Sequence, residues 1–172
     1  MAFVGASGGI LLMWDKRVVT KVDVCLGNFV AASSFKNVDD SLEWAFAGVY
    51  GPNRDTHIRF LWEELVGLMS LWDVSWCIRG DFNVTLFQGE RSGGARMRSA
   101  VIAFAEFTVE QGLMDLPLSG GVSTWSNNMS WSRLDRFLVS PEWDLSYPSL
   151  MQKKLLRVCL DHVPILLLRG CS

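Results

Sequence analysis

The chain has 172 residues, of which 49% are hydrophobic and 20% charged. This balance indicates one globular domain over residues 1–172 and excludes a disordered chain. A net charge of −2 excludes a global basic field, so any contact with nucleic acid has to be local.

The sequence shows no signal peptide and no apolar run of membrane length. Its four cysteines lack metal-binding spacing, and three lie in or beside apolar runs. We therefore expect reduced thiols in an intracellular protein of the nucleus or cytoplasm, with no membrane partner.

Short strands dominate the first third of the predicted structure. The opening Gly5-Ala6-Ser7-Gly8-Gly9 fits the G-x-S-x-G pattern of serine hydrolases. That motif needs a strand before it and a helix after it, whereas here a strand follows, so we interpret the glycines as a close-approach turn. Strands are predicted over residues 10–14 (buried on both faces), 18–26 (half-buried), 28–35 and 43–50.

Two helices interrupt the strands. Residues 55–72 carry apolar side chains at helical spacing, and residues 99–111 form a second helix with Val101, Ile102, Ala105 and Val109 inward. The remaining predicted strands cover residues 74–78, 113–116, 122–126, 134–139, 154–159 and 163–168, with a helical turn at 141–144. This order favours an α+β sandwich of two sheets with outer helices over a βαβ barrel.

Asp81 and Asn83 follow the strand at 74–78, directly after Gly80. In extended chain their spacing of two puts both side chains on one face. A carboxylate and a carboxamide at the end of a buried strand are costly unless something pairs with them. They either cap a turn or form a polar site that holds a phosphate, a metal or an attacking water.

Further polar residues stand at predicted strand ends, where active sites of layered folds gather. They are Tyr50, Asn53, Asp135, Asp161 and His162. An imidazole needs a carboxylate on its second nitrogen to fix its tautomer, and Asp135 is the candidate partner of His162. Either the Asp161-His162 pair is an ordinary turn, or it belongs to a catalytic set.

Hydrolysis of a phosphodiester needs a base near phosphorus and donors on its oxygens. Asp81 and Asn83 are candidates to place the water, and Tyr50 and Asn53 are candidates to hold the phosphate.

The loop at residues 88–98 is the most basic patch of the chain, with Arg91, Arg96 and Arg98 around two glycines. It is either an ordinary solvated loop or a contact with a phosphate backbone.

Four motifs occur in an order that resembles the endonuclease/exonuclease/phosphatase superfamily, which includes exonuclease III-like apurinic endonucleases. They are Tyr50-Gly51-Pro52-Asn53, Gly80-Asp81-Phe82-Asn83, Arg133-Leu134-Asp135-Arg136-Phe137-Leu138 and Asp161-His162-Val163-Pro164-Ile165. The connecting segments Ser7-Gly8-Gly9-Ile10-Leu11 and Thr124-Trp125-Ser126-Asn127 are similar to the endonuclease region of plant non-LTR (LINE-type) retrotransposons. The resemblance covers residues 7–168.

The resemblance implies a four-layered α/β sandwich of two packed, mostly antiparallel sheets. It also implies hydrolysis of a phosphodiester with Mg²⁺ or Mn²⁺, nicking DNA so that a 3′ hydroxyl primes reverse transcription. A downstream reverse transcriptase region of the parent polyprotein is then a possible partner.

Carried over by position, Asp81 would align or activate the water, and Asn83 would hydrogen-bond the phosphate and the histidine region. Tyr50 and Asn53 would contact the scissile phosphate. The same resemblance pairs Asp135 with His162, makes His162 a base or phosphate ligand, and places Asp161 near the metal.

The sequence departs from the family in two ways. The family carries an Asn on its first strand and a Glu, the chief metal ligand, on the next segment, and neither motif is found here; Leu160 stands where the family usually has Ser. We therefore expect a sandwich without its first strands, a weakened metal site and impaired activity. The alternatives are an inactive retroelement remnant, a domesticated nucleic-acid-binding scaffold, or a phosphatase acting on a small phosphoester.

Overall fold

The fold was analysed in a computed structural model that describes residues 9–93, 99–157 and 161–170. Within those ranges the chain forms three sheets and three α-helices. In chain order the elements are β1 (Val19–Leu26), β2 (Val30–Asn37), β3 (Glu43–Tyr50), α1 (Ile58–Met69), β4 (Ser75–Asp81), α2 (Ser99–Glu110), β5 (Met114–Asp115), β6 (Leu118–Ser119), β7 (Trp125–Ser126), β8 (Trp131–Ser132), β9 (Asp135–Val139), α3 (Pro141–Ser146), β10 (Leu150–Lys154) and β11 (Ile165–Arg169).

The largest sheet has six strands in the order β1-β2-β3-β4-β9-β5. Its neighbours are antiparallel except β3 and β4, which run parallel. A parallel pair needs a crossover connection, and α1 supplies it. A second sheet has the order β11-β10-β6, and β7 pairs with β8 in a hairpin. The predicted α+β fold with packed sheets and few helices is confirmed.

The helix-side core lies between the six-stranded sheet and the helices α1 and α2. Trp62 of α1 stacks on Phe104 and Phe107 of α2, with ring centroids 4.7 Å apart in both pairs. Leu61 and Leu65, one turn apart, are fully buried beside it. Burial of each such side chain contributes roughly 1.5–3 kcal/mol, so apolar packing holds the helices to the sheet.

The opposite face of the six-stranded sheet packs against the second sheet and α3. Cys77 and Phe137 on that face meet Leu116, Trp143 and Ile165. Strand pleating explains why β4 serves both cores, since alternate residues point to opposite faces. This second face also carries the polar residues at the strand ends.

The structure corrects the predictions for the first segment. Residues 10–14 form no strand; they lie over the second face, where a Cβ at Gly48 would meet side-chain atoms of Ile10 and Leu12. Leu11 and Met13 are 77% and 83% exposed. The segment is therefore buried on one side only, because no neighbouring strand pairs with it among the described residues.

The predicted half-burial of β1 is also wrong, because β1 is an edge strand. Val22 and Val24 are 59% and 47% exposed, and a bulge between Lys21 and Asp23 interrupts the pairing with β2.

Two further elements differ in detail. In α2, Ile102 and Val109 face solvent, because Phe104 and Phe107 define the buried stripe. Residues 155–157 of the strand predicted at 154–159 form no strand, and residues 158 and 159 lie outside the described residues. The strand before them is β10, where fully buried Gln152 accepts a hydrogen bond from the backbone N–H of Phe137 (3.0 Å). None of the helices formed by the described residues is both long and apolar enough to cross a membrane.

Candidate active site

Three adjacent strands bring polar side chains from distant parts of the chain into one row. Tyr50 at the end of β3 is in register with Asp81 at the end of β4, and Asp81 is in register with Asp135 at the start of β9. Residues paired across strands present their side chains on the same face. Tyr50 and Asp135 are thus brought to one edge although they are 85 positions apart in the sequence.

Glycines allow these strand ends to approach closely. A Cβ at Gly80 would collide with the carbonyl of Val49, and one at Gly51 would collide with the carbonyl of Phe82. The absence of a side chain at both positions therefore permits the close contact that aligns the end of β3 with the end of β4.

His162 reaches the row from the chain segment before β11. Its Nδ1 lies 2.8 Å from Asp135 Oδ2 and its Nε2 lies 3.7 Å from Asp81 Oδ2. The two carboxylates are nearly buried, whereas the imidazole is about one third exposed. In neutral His162 the Nδ1–H donates to Asp135, which fixes the tautomer and leaves Nε2 without a proton; Nε2 can donate towards Asp81 only when the ring is protonated.

The same contacts move the pKa values of both groups. The hydrogen bond that His162 donates to Asp135 raises the pKa of His162, against a smaller opposing effect of burial. Burial, and then the negative charge of Asp135, raise the pKa of Asp81. The site therefore favours a protonated imidazole next to a carboxylate that is more basic than usual.

Asn83 sits in the turn directly after β4 with a positive φ of 54°. Its backbone N–H donates to Asp81 Oδ1 (2.9 Å), and its side-chain Nδ2 donates to the carbonyl of Gly51 (2.7 Å). Asp81 thus accepts from a turn amide while its second oxygen faces His162. The turn-cap interpretation describes these hydrogen bonds, and the role of the pair in a polar site stays a prediction.

The trio Asp81, Asp135 and His162 also suits a metal ion, since their ligand atoms lie within 4.8 Å of one another. Mg²⁺ is commonly held by one or two carboxylates together with water and phosphate oxygens. The donor set present therefore fits a hard divalent cation.

Asp161, predicted to lie near the metal, stands outside this trio. Its Oδ2 accepts from Trp125 Nε1 (2.6 Å), and that hydrogen bond lowers the pKa of Asp161. Its role at a metal stays a prediction.

Two cavities flank the trio. The first, of about 290 Å³, is lined by His162, Asn83, Arg91 and Trp125 among others. Arg91 of the basic loop is therefore brought to the site.

The second cavity, of about 350 Å³, is lined by Tyr50, Asp81 and Asp135 together with residues 9–13. Asn53 is exposed in the turn after β3 and lines neither cavity. The predicted phosphate contacts Arg96 and Arg98 lie outside the described residues.

Thr124 is a positioning residue that sequence reasoning missed. It is fully buried, and its Oγ1 accepts from the backbone N–H groups of Leu134 (3.0 Å) and Asp135 (2.9 Å). Its carbonyl accepts from Val163 N–H (2.7 Å). One threonine thus ties the strand of Asp135 to the segment of His162. Its sequence context, Ser123-Thr124-Trp125-Ser126, gives no signal of burial.

A buried ion network holds the loop that carries Arg91. Arg136, with no exposed side-chain surface, pairs with Glu90 (2.7 Å) and Asp115 (3.0 Å), and Arg133 pairs with the same two carboxylates. Burial, the largest single effect, would raise the pKa of Glu90, but Arg136, the backbone N–H of Phe87 and Arg133 together hold that pKa below its usual value. The network fixes the loop next to the first cavity.

The fold is shared with solved structures of endonuclease/exonuclease/phosphatase proteins. A family protein from Bacteroides thetaiotaomicron superposes with a TM-score of 0.63 at 16% identity, covering 88% of this chain and 65% of that one. The endonuclease domain of TRAS1, a telomere-specific non-LTR retrotransposon, gives 0.64 at 16% identity, covering 84% and 67%. Beta toxin from Staphylococcus aureus gives 0.58 at 14% identity, covering 83% and 57%.

These structures define the class of fold to which the chain conforms. The chain spans 65% of the length of the first structure and 67% of the second. No protein-family profile and no curated protein sequence matches it.

Proposed function

We propose that the chain is a metal-dependent phosphodiester hydrolase, a DNA endonuclease domain of retrotransposon origin. The observation that carries the proposal is the Asp135–His162–Asp81 arrangement, in which one carboxylate orients an imidazole whose second nitrogen faces another carboxylate. Support for the origin comes from the motif order and from the fold shared with a retrotransposon endonuclease domain.

The shifted pKa values of His162 and Asp81 give these two side chains different roles in the proposed reaction. His162, whose pKa is raised by its hydrogen bond to Asp135, donates from Nε2 to a non-bridging phosphate oxygen when the ring is protonated. Asp81, made more basic by burial, accepts a proton from the attacking water. The water oxygen bonds to phosphorus as the ester bond to the 3′ oxygen breaks, and that oxygen takes a proton from solvent.

A divalent cation held by Asp81 and Asp135 would supply positive charge to the phosphate oxygens. Arg91, in the first cavity, binds the backbone of the DNA next to the scissile phosphate. Tyr50 donates its hydroxyl from the second cavity, and Asn53 contacts the phosphate from the turn after β3. In the parent polyprotein a downstream reverse transcriptase would extend the 3′ hydroxyl that the nick exposes.

The test is a supercoiled-plasmid nicking assay with Mg²⁺ or Mn²⁺. We expect the wild-type chain to produce nicked circles that a polymerase extends, and EDTA to abolish them. His162→Gln should lower the rate at least about 10²-fold, because the phosphate oxygen loses a charged hydrogen-bond donor. His57→Gln is the matched control, because His57 is the other histidine of the sequence and is exposed at the start of α1.

Nicking that survives His162→Gln would refute the mechanism, and an intact chain that never nicks would refute the function.

The second candidate is a scaffold that binds nucleic acid without cleaving it. The described trio contributes only two carboxylates, which favours weak metal binding. Oligonucleotide binding without nicking at any Mg²⁺ or Mn²⁺ concentration identifies that case. Cleavage of p-nitrophenyl phosphate but not of plasmid identifies a phosphatase instead.

A further inference from the structure

A second arginine lies beside the carboxylates, on the side opposite Arg91. Arg79 precedes Asp81 by two residues on β4, so both side chains point to the same face of the six-stranded sheet. Its cross-strand neighbours are Gly48 on β3 and Phe137 on β9. Arg79 lines the second cavity together with Tyr50 and the two aspartates of the trio.

Arg79 is half-buried, and its positive charge acts on Asp81, where it opposes the rise in pKa that burial and Asp135 cause. Within residues 9–93, 99–157 and 161–170 its side chain forms no hydrogen bond and no ion pair. By contrast, Arg133 and Arg136 each pair with two carboxylates. The guanidinium N–H groups of Arg79 therefore remain available as donors to an anion that enters the cavity.

The surroundings of Arg79 leave space for such an anion. Ile10 and Leu12 occupy the space over Gly48, its neighbour on β3, and the space that remains is the second cavity, of about 350 Å³, which Arg79 lines. These apolar side chains form one wall of the cavity. A charged hydrogen bond is stronger against such a low-dielectric wall than in open water.

The two cavities therefore carry one arginine each, with the trio between them. His162 faces the cavity of Arg91, and Asp81 and Asp135 face the cavity of Arg79. A small phosphomonoester would use one cavity, whereas a polynucleotide crossing the trio places phosphates in both.

We propose that Arg79 binds a backbone phosphate adjacent to the scissile one, so that the site takes a polynucleotide across both cavities. This inference rests on the proposed function, because it assumes that the scissile phosphate lies at the trio. It makes Arg79 a substrate-binding residue that favours nucleic acid over small phosphoesters.

Binding is measured without cleavage, by fluorescence anisotropy of a labelled 12-nucleotide DNA in EDTA at several salt concentrations. We expect Arg79→Gln to weaken binding about tenfold, the effect of one charge-assisted contact. The slope of log K against log salt should fall by about one, since one fewer phosphate is neutralised. Arg79→Lys should keep the slope. Arg17→Gln is the matched control, because Arg17 is exposed and pairs only with Asp15 among the described residues.

Equal affinity and equal salt slope for wild type and Arg79→Gln would overturn the proposal. If Arg79→Gln does not fold, as judged by circular dichroism, phenylglyoxal labelling of the wild-type chain decides. Mass spectrometry should show Arg79 protected by the oligonucleotide and Arg17 unprotected; an unprotected Arg79 would also overturn it. A chain that fails to nick but shows these Arg79 effects refutes hydrolysis and leaves the binding proposal standing.

Discussion

Replacement of Thr124 tests whether one buried hydroxyl holds the site together. Thr124→Val keeps the shape of the side chain but removes the acceptor for the backbone N–H groups of Leu134 and Asp135. Both donors then lose their partner inside the protein, next to the carboxylate that orients His162.

The expected cost follows from the burial of these donors. An unsatisfied buried donor costs about 1–3 kcal/mol, so two cost roughly 2–6 kcal/mol. Leu134 is only half-buried, so we expect its N–H to cost less than that of Asp135 and the total to be about 3 kcal/mol. Thr124→Ser keeps the hydroxyl and loses one buried methyl, at a cost of about 1 kcal/mol. A natural domain has only about 5–15 kcal/mol of stability, so the difference between the two variants is measurable.

Urea unfolding, followed by the fluorescence of the eight tryptophans, gives the free energy of unfolding for wild type, Thr124→Val and Thr124→Ser. The reasoning predicts that valine costs about 2 kcal/mol more than serine. Equal losses would mean that the two hydrogen bonds contribute nothing beyond packing, and the positioning role of Thr124 would be refuted.

Two further changes probe charge. Arg136→Met should lower the free energy of unfolding by about 3–5 kcal/mol, because it leaves two buried carboxylates short of their partner; urea unfolding with no loss relative to wild type would contradict this. Asp135→Asn should lower the pKa of His162 towards 6.5, measured by NMR titration of the ring with His57 as internal reference. Because the folded pKa is raised, the stability from the Asp135–His162 pair is present below pH 6.5 and is lost as pH rises through the folded pKa. Urea midpoints against pH should show this loss in wild type and not in Asp135→Asn, and parallel pH profiles would count against the pair.

The sequence predicted well those features that depend on local pattern. The apolar spacing that predicted the first helix matches the buried residues of α1, from Ile58 to Leu68. The strand at Glu43–Tyr50 has the predicted bounds. Failures occurred where tertiary contacts override pattern: residues 10–14 have strand composition but no partner strand among the described residues, and the phenylalanines of α2 outweigh Ile102 and Val109 for the buried face.

In the candidate site, too, local pattern predicted some residues and tertiary contacts decided the roles of others. Polar residues at strand ends pointed to Asp81, Asp135 and His162, and the structure places their side chains together. No sequence signal marks the roles of Thr124 and Arg79. A threonine can hold two segments together only when it is buried against backbone N–H groups that have no other acceptor. An arginine becomes a candidate phosphate ligand only when it lines a cavity and no neighbouring side chain forms a hydrogen bond or an ion pair with it.

The sequence by itself determined which side chains stand at the ends of strands and what chemistry they offer. Only the tertiary structure decided which of them meet, since the strand order β3-β4-β9 sets the register of Tyr50, Asp81 and Asp135. The physical reason is that hydrophobic alternation is a property of neighbouring residues, whereas register and the pairing of buried charges depend on segments many residues apart.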